Sequence, residues 1–224
     1  MSKYNFVHLH NHTDYSLLDG MMQVKKMVKF AKESNMNAVA ITDHGNLYGA
    51  MEFYKECTKK KEKESDLAPI KPIIGCEFYI TNDRFDKTVR NSNHLLLLAK
   101  SEVGYKNLLK LSSYGYTEGF YYNPRIDKKL LEKYNEGLIC LSACIAGEIP
   151  RFVLEGKQPE AEKLALYYQS LFGKDSFFLE IQIHGMKEEA IVAKNLVAMS
   201  KKLQIPVVAT NDCHYLKKGD AEAQ

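Results

Sequence analysis

The sequence predicts an α/β protein built from repeated strand–helix units, closed as a barrel or laid out as a doubly wound sheet. Short apolar runs alternate with longer amphipathic stretches along the whole chain. Several of the short runs are apolar at nearly every position, as strands covered on both faces must be. Residues able to bind metals recur at the ends of those runs, where strand-end loops of such folds build their sites. At 224 residues the chain fits a single domain of this kind.

Taken in order, the strand-like runs are "NFVHLH", "NAVAITDH", "KPIIGCEFYIT", "HLLLLAK", "GLICLSA", "FFLEIQIH" and "IPVVATND". Helix-like periodicity fills Met22–Ser34, Leu47–Lys63, Glu102–Tyr114, Pro159–Phe172 and Lys187–Lys202. No internal repeat or Ser/Gly linker interrupts the series. The run "KKKEKES" at Lys59–Ser65 reads as the solvated end of a helix. The last residues, "KKGDAEAQ", stop as a further helical segment begins, so residues 1–224 are expected to be one domain of a longer chain.

A net charge of +3 is too small to argue for nucleic acid by itself. The five cysteines, at positions 57, 76, 140, 144 and 213, include no CxxC pair, which speaks against a zinc ribbon or a thioredoxin-type motif. Unpaired thiols in a chain of this length point to a reducing cytoplasm. The first residues, "MSKYNFVHLH", carry no secretory signature, and no apolar run is long enough to span a membrane.

The chemistry is concentrated in few places. "HLHNHTDYSLLDG" sets His8, His10 and His12 at two-residue spacing, which on a strand would form a row on one face. His44 ends the second strand run, Glu77 lies in the third and His94 opens the fourth. Cys144 follows the fifth, His184 ends the sixth, and Asp212 and His214 close the seventh. Each histidine taken alone reads as a hydrogen-bonded structural residue, and Cys144 alone as a small buried hydrophobe. Asp43 reads as a helix cap or as the group that orients the His44 imidazole. Their recurrence at one end of successive strands instead points to a metal site. Mixed imidazole, carboxylate and thiolate donors in such number exceed one tetrahedral ion and suit two or three cations clamping a phosphoryl group.

The segments "HLHNHTDYSLLDG", "AITDHGNLYGAMEFY", "IIGCEFYI", "NHLLLLAKSEVGYKNLLKLSS", "FYYNPRID", "LSACIAGEIP" and "TNDCHYL" resemble the polymerase and histidinol phosphatase (PHP) family over essentially the whole chain. The likeness is greatest to the branch attached to bacterial replicative DNA polymerases. It implies an α/β fold, a distorted seven-stranded (βα) TIM-like barrel with a metal site at the C-terminal ends of the strands. It also implies two or three divalent ions (zinc, manganese or iron) held by His10, His12, Asp19, His44, Glu77, His94, Cys144, Asp212 and His214. Asp19 and Asp212 are the candidates to bridge cations or to take the proton of the attacking water. Cys144 departs from the histidine usual in the phosphatase branch and would favour zinc.

His8 is expected to support the ligands or the fold. Arg125 is expected to contact phosphate or to pack its loop, and His184 to orient a ligand, touch phosphate or serve the fold. Tyr121 and Tyr122 are expected to stack on a base or only to pack their loop on the barrel. The activity implied is phosphodiester hydrolysis within a DNA polymerase, as a 3′–5′ proofreading exonuclease. The alternatives are a catalytically silent, metal-stabilised scaffold or a free-standing phosphatase such as histidinol phosphatase. Partners implied are DNA, the remaining polymerase domains, a separate proofreading exonuclease subunit and other replisome subunits, with no membrane.

Overall fold

The computed structural model describes residues 6–60, 63 and 67–223. Residues 61–62 and 64–65 of the charged run, and residue 66 after it, lie outside the described residues, as does Asn5 of the first strand candidate. Seven strands form one mixed sheet: β1 (Ala38–Ile41), β2 (Lys71–Thr81), β3 (Asn93–Ala99), β4 (Arg125–Asp127), β5 (Leu138–Leu141), β6 (Phe177–Ile181) and β7 (Val207–Ala209). Their spatial order is β1-β2-β3-β5-β6-β7, with β4 paired to β2. Helices α1 (Val24–Glu33), α2 (Ala50–Thr58), α3 (Glu102–Thr117), α4 (Lys128–Lys133), α5 (Glu148–Leu154), α6 (Gln158–Phe172) and α7 (Lys187–Leu203) alternate with the strands. The expected barrel-like α/β class is therefore observed. Among the described residues no helix is long and apolar enough to cross a membrane.

Two features depart from a simple parallel series. β3 runs antiparallel to both β2 and β5. No helix separates β2 from β3, and without a crossover element the returning strand must reverse. The start of β3 therefore lies on the same rim as the ends of its neighbours, and this is where His94 sits.

The second departure is at the N-terminus, where the expected first strand is not a regular strand. Residues 8–13 run extended between β1 and the segment after β7. They bond through Ala40 N to His8 O, Thr42 N to Asn11 O, His12 N to Cys213 O and Cys213 N to His10 O. These few bonds close the curled sheet into a ring, while β4, too short to stand out in the sequence, brings the strand count to seven.

The apolar strands pack on both faces, as their composition requires. On β3, Leu95 and Leu97 join a core with Leu108 and Leu111 of α3, whereas Leu96 and Leu98 join Leu141 in the ring interior with Ile73, Phe178 and Val208 around them. Register aligns Tyr79 with His94, Glu77 with Leu96 and Gly75 with Leu98. The interior is thus layered, with an aromatic and imidazole rim, a buried carboxylate beneath it and an apolar plug below. A Cβ at Gly75 would meet the Leu97 carbonyl at 2.6 Å, so this strand pair closes only on glycine.

Ser101 caps α3, its side chain accepting from Gly104 N, and Gly104 itself abuts the turn before β5. A methyl group there would lie 1.9 Å from the Gly137 carbonyl oxygen. Helix propensity alone would make Gly104→Ala stabilising by about 1 kcal/mol. The clash reverses the sign: the variant is expected to lose about 2 kcal/mol or more in urea unfolding.

Candidate metal centre

The backbone delivers the ligands in pairs. Beyond the regular end of β1, Glu77 N donates to Asp43 O and Gly45 N to Glu77 O, which brings His44 beside Glu77. His94 N donates to Ala146 O, which fixes the turn carrying Cys144 against the start of β3. Several carriers sit on left-handed backbone that only glycine adopts freely: Asp212 itself (φ 46°), Ala143 before Cys144 (φ 63°) and Leu18 before Asp19 (φ 64°). Such strain persists only where the surroundings impose it.

All nine residues that the resemblance implied are brought to one rim. Glu77 is at the centre, 1% exposed. Its Oε1 lies 3.2 Å from His10 Nε2 and 3.0 Å from His94 Nδ1, and its Oε2 lies 2.9 Å from His44 Nδ1 and 3.5 Å from His12 Nε2. Asp212 Oδ1 is 3.2 Å from His10 Nε2 and 3.0 Å from His12 Nε2. At the mouth, Asp19 Oδ2 is 2.8 Å from His44 Nε2 and 3.3 Å from His214 Nε2. Cys144 Sγ stands 3.7 Å from His94 Nδ1. Glu77 lies within its strand and His94 at a strand start, as their places in the strand runs indicated, and the reversal of β3 brings His94 to the shared rim.

Whether cations fit is tested by the polar atoms. Among the described residues, His10 Nε2, His12 Nε2, His44 Nδ1, Glu77 Oε1 and Oε2 and Asp212 Oδ1 are buried without a hydrogen-bond partner. Orphaned donors and acceptors at this depth are costly, and their convergence calls for a shared partner. Three sets have ligand atoms within 4.8 Å of one another: His10, His12 and Asp212; His44, Glu77 and His94; His12, His44 and His214. That spacing suits ligands each about 2.0–2.3 Å from a common ion.

The far sides of the rings are held as metal-binding imidazoles usually are. His10 Nδ1 donates to Glu180 Oε1 at 2.7 Å, and Glu180 also receives Thr210 Oγ1 and Gln182 Nε2. His12 Nδ1 lies 3.1 Å from Ser16 Oγ, which donates to Asp43 Oδ1 at 2.7 Å. Thr13 N and Oγ1 complete the Asp43 carboxylate. Asp43 therefore neither caps a helix nor orients His44 directly. It fixes the 13–16 turn and, through Ser16, His12.

Burial opposes charge throughout, and the neighbours decide who keeps it. Burial would depress His10, but Asp212, Glu180 and Glu77 hold its pKa well above the usual value. Burial wins at His12, lowered to about 4, while Asp19 and Glu77 raise His44 to about 9 against burial. Glu77, which burial would raise, is held well below the carboxylate range by His94, His10 and His44. The Cys144 thiol is pushed up by burial, then by Glu77 and Asp212.

The remaining expectations fare differently. His8 does not share the row of His10 and His12. Because the segment is not a regular strand, His8 instead turns toward Cys213 Sγ, 3.6 Å away, and Phe6. Arg125 is fully buried and gives its guanidinium to the carbonyls of Gly119, Val89, Arg84 and Asp86. The phosphate contact is corrected: this side chain fastens the β2–β3 loop. Tyr121 leans toward Arg125, and Tyr122 stands exposed.

His184 pairs Nδ1 with Glu189 Oε1 at 2.6 Å and Nε2 with Asn211 O at 2.7 Å, tying α7 to the segment that carries Asp212 and His214. It also lines a cleft of about 420 Å³ beside Cys144, Asp212 and His214. Glu180, Gln182, Thr210 and Ser16 were not anticipated. The alternation Glu180, Gln182, His184 in an otherwise apolar strand was the available signal.

The PHP domain family matches residues 8–184, a span holding His10 through Cys144 and ending before Asp212 and His214. The chain belongs to the PHP domain family. This PHP domain is 51% identical to the DNA polymerase III subunit alpha of Borreliella burgdorferi over 98% of its own length, and it spans 19% of that relative. Its fold is similar to a solved structure from Bifidobacterium adolescentis assigned as a metal-dependent phosphoesterase (TM-score 0.56, 13% identity, 93% of this chain and 87% of that one). It is also similar to the lesion-specific endonuclease Q of Pyrococcus furiosus (TM-score 0.52, 18% identity, 93% of this chain and 48% of that one).

The His184–Glu189 pair gives a pH signature. Burial disfavours the His184 charge, but Glu189 and the Asn211 carbonyl raise its pKa above 6.5; burial likewise opposes Glu189, yet its bonds from His184 and Met186 lower it below 4.5. The histidine contribution is complete below its unfolded value and fades as pH rises through the raised one. The glutamate contribution is present above its unfolded value and fades as pH falls through the lowered one. His184→Asn is therefore expected to cost about 1 kcal/mol, discounted for exposure, between pH 4.5 and 6.5 and less at higher pH, by denaturant titration.

Proposed function

We propose that this chain is the PHP domain of a bacterial DNA polymerase III alpha subunit and acts as a metal-dependent 3′–5′ exonuclease on DNA. The observation that supports this most is the intact cluster of buried imidazole and carboxylate atoms that lack hydrogen bonds. That cluster calls for cations in either role, and what favours hydrolysis over a metal-stabilised scaffold is that it opens at a mouth where the Asp19 side chain is 43% exposed. On this reading the chain forms one domain of a longer cytoplasmic polymerase, with DNA and the remaining polymerase domains as its partners.

His10, His12 and Asp212 would hold one cation, His44, Glu77 and His94 a second, and His214 with Asp19 would complete a third position at the mouth. Cys144 lies beside the second, and its thiol would lose its proton on coordination. When bound, such cations lower the pKa of water from about 15.7 toward 7 and offset charge on the phosphate and leaving oxygens.

The chain's own groups do the rest. Asp19 is held ionised by its bond to His44 and by His214, so it would hold a cation at the mouth and orient its neighbours rather than store a proton. Asp212 is likewise kept ionised by His10 and His12. Glu180 and Ser16 fix His10 and His12 with Nε2 facing the centre, so the site is preformed before substrate arrives.

The test is shortening of 5′-labelled single-stranded DNA with manganese or zinc. The protein should remove nucleotides from the 3′ end, and Asp19→Asn or Glu77→Gln should lower the rate at least about a hundredfold. Shortening that survives both substitutions would refute the assignment. Intact DNA with a metal-loaded centre would leave the domain as a scaffold.

A further inference from the structure

The β2–β3 loop, residues 82–92, carries two arginines with different fates. Arg84 is neutralised, with Nη1 2.9 Å from Asp127 and Nη2 2.7 Å from Glu118. Arg90 has no such partner: no ion pair among the described residues includes it. Its guanidinium lies instead 4.2 Å from the ring centre of Tyr122. Tyr122 is 58% exposed and sits on left-handed backbone, φ 62°. An exposed tyrosine has no packing reason to be displayed in this way.

These two side chains form one wall of an open groove of about 560 Å³ that runs to the metal-centre ligand His94. Tyr79, Asn123 and Arg151 line it as well, and no carboxylate does. Arg151 reaches in from α5 and donates Nη1 to Asn93 Oδ1 at 3.0 Å, with Glu155 3.3 Å from its Nε. The loop that presents Arg90 is held from beneath by Arg125, through the carbonyls of Arg84, Asp86 and Val89. The groove is therefore a fixed, cationic and aromatic surface bordering a centre rich in carboxylates. A small phosphate ester would need only the centre. A cationic groove leading away from it suits a ligand with further phosphates and a π face, and stacking with backbone contact is how single strands are gripped without regard to sequence.

We propose that this groove binds the single strand upstream of the scissile phosphodiester, with Arg90 and Arg151 on the neighbouring phosphate and the Tyr122 ring on a base. The proposal rests on the phosphodiesterase reading, and its test needs no turnover. An oligodeoxynucleotide carrying 5-iodouracil one or two positions from its 3′ end is irradiated with the purified protein, and the attachment site is located by mass spectrometry. The expected result is a cross-link on Tyr122. Arg90→Gln should lower its yield and weaken binding about fivefold, while the slope of log affinity against log salt falls by about 0.7.

Attachment elsewhere, or a Tyr122 cross-link unchanged in Arg90→Gln, would overturn the groove assignment. A protein inert toward DNA that still cross-links at Tyr122 upholds the groove while removing the nuclease reading. Metal-dependent shortening without the Tyr122 cross-link does the reverse.

Discussion

The structure turns on one buried carboxylate. Glu77 lies in the middle of β2, almost wholly removed from water, and neither of its oxygens accepts a hydrogen bond. In a strand interior that arrangement is prohibitive unless positive charge surrounds it. Four imidazoles line it, His10 and His12 from the N-terminal segment, His44 from the turn after β1 and His94 from the start of β3, with His10 and His44 favoured in their charged form. A carboxylate with imidazoles on every side is stable either with protons shared among them or with cations in their place. The second state uses the ring nitrogens that the first leaves unsatisfied.

The remaining architecture serves to hold those rings still. The reversed β3 puts His94 on the common rim, and the extended N-terminal segment, bonded to β1 on one side and to Cys213 on the other, carries His10 and His12 across the mouth. Below them Leu96, Leu98 and Leu141 exclude water from the floor. Around them Glu180, Ser16 and Asp43 fix the ring orientations, and left-handed backbone at Leu18, Ala143 and Asp212 turns the ligand-bearing loops inward. Strain at those three positions is tolerated because backbone hydrogen bonds of the neighbouring residues determine the path of the chain.

Much of this was legible in the residues. Runs such as "HLLLLA" and "FFLEI" declare doubly covered strands, and helices with a clear apolar stripe, such as α1 and α7, fall close to their expected bounds. What escaped depends on tertiary context. The three-residue β4 pairs with β2 by register, not by propensity, and α4 and α5 are too short for their periodicity to stand out. Chain direction at β3 follows from a missing helix, which apolarity cannot report. Spacing placed His8 with His10 and His12, but alternation holds only on a regular strand, and this segment is held by isolated bonds. Arg125 looked like an anion ligand by type, yet four carbonyls from two segments claim it. The ligand residues themselves could be named from the resemblance, whereas the supporting Glu180 needed the structure to show that it reaches His10.

Metal content tests this account most directly. The purified protein, freed of metal by a chelator, reloaded with zinc or manganese and desalted, should retain two or three equivalents by elemental mass spectrometry. Glu77→Gln should lose at least one of them and lower the thermal midpoint gained on loading. A protein that retains no cation, or whose Glu77→Gln variant binds as many as the parent, would contradict the claim that these buried imidazoles and carboxylates exist to hold metal.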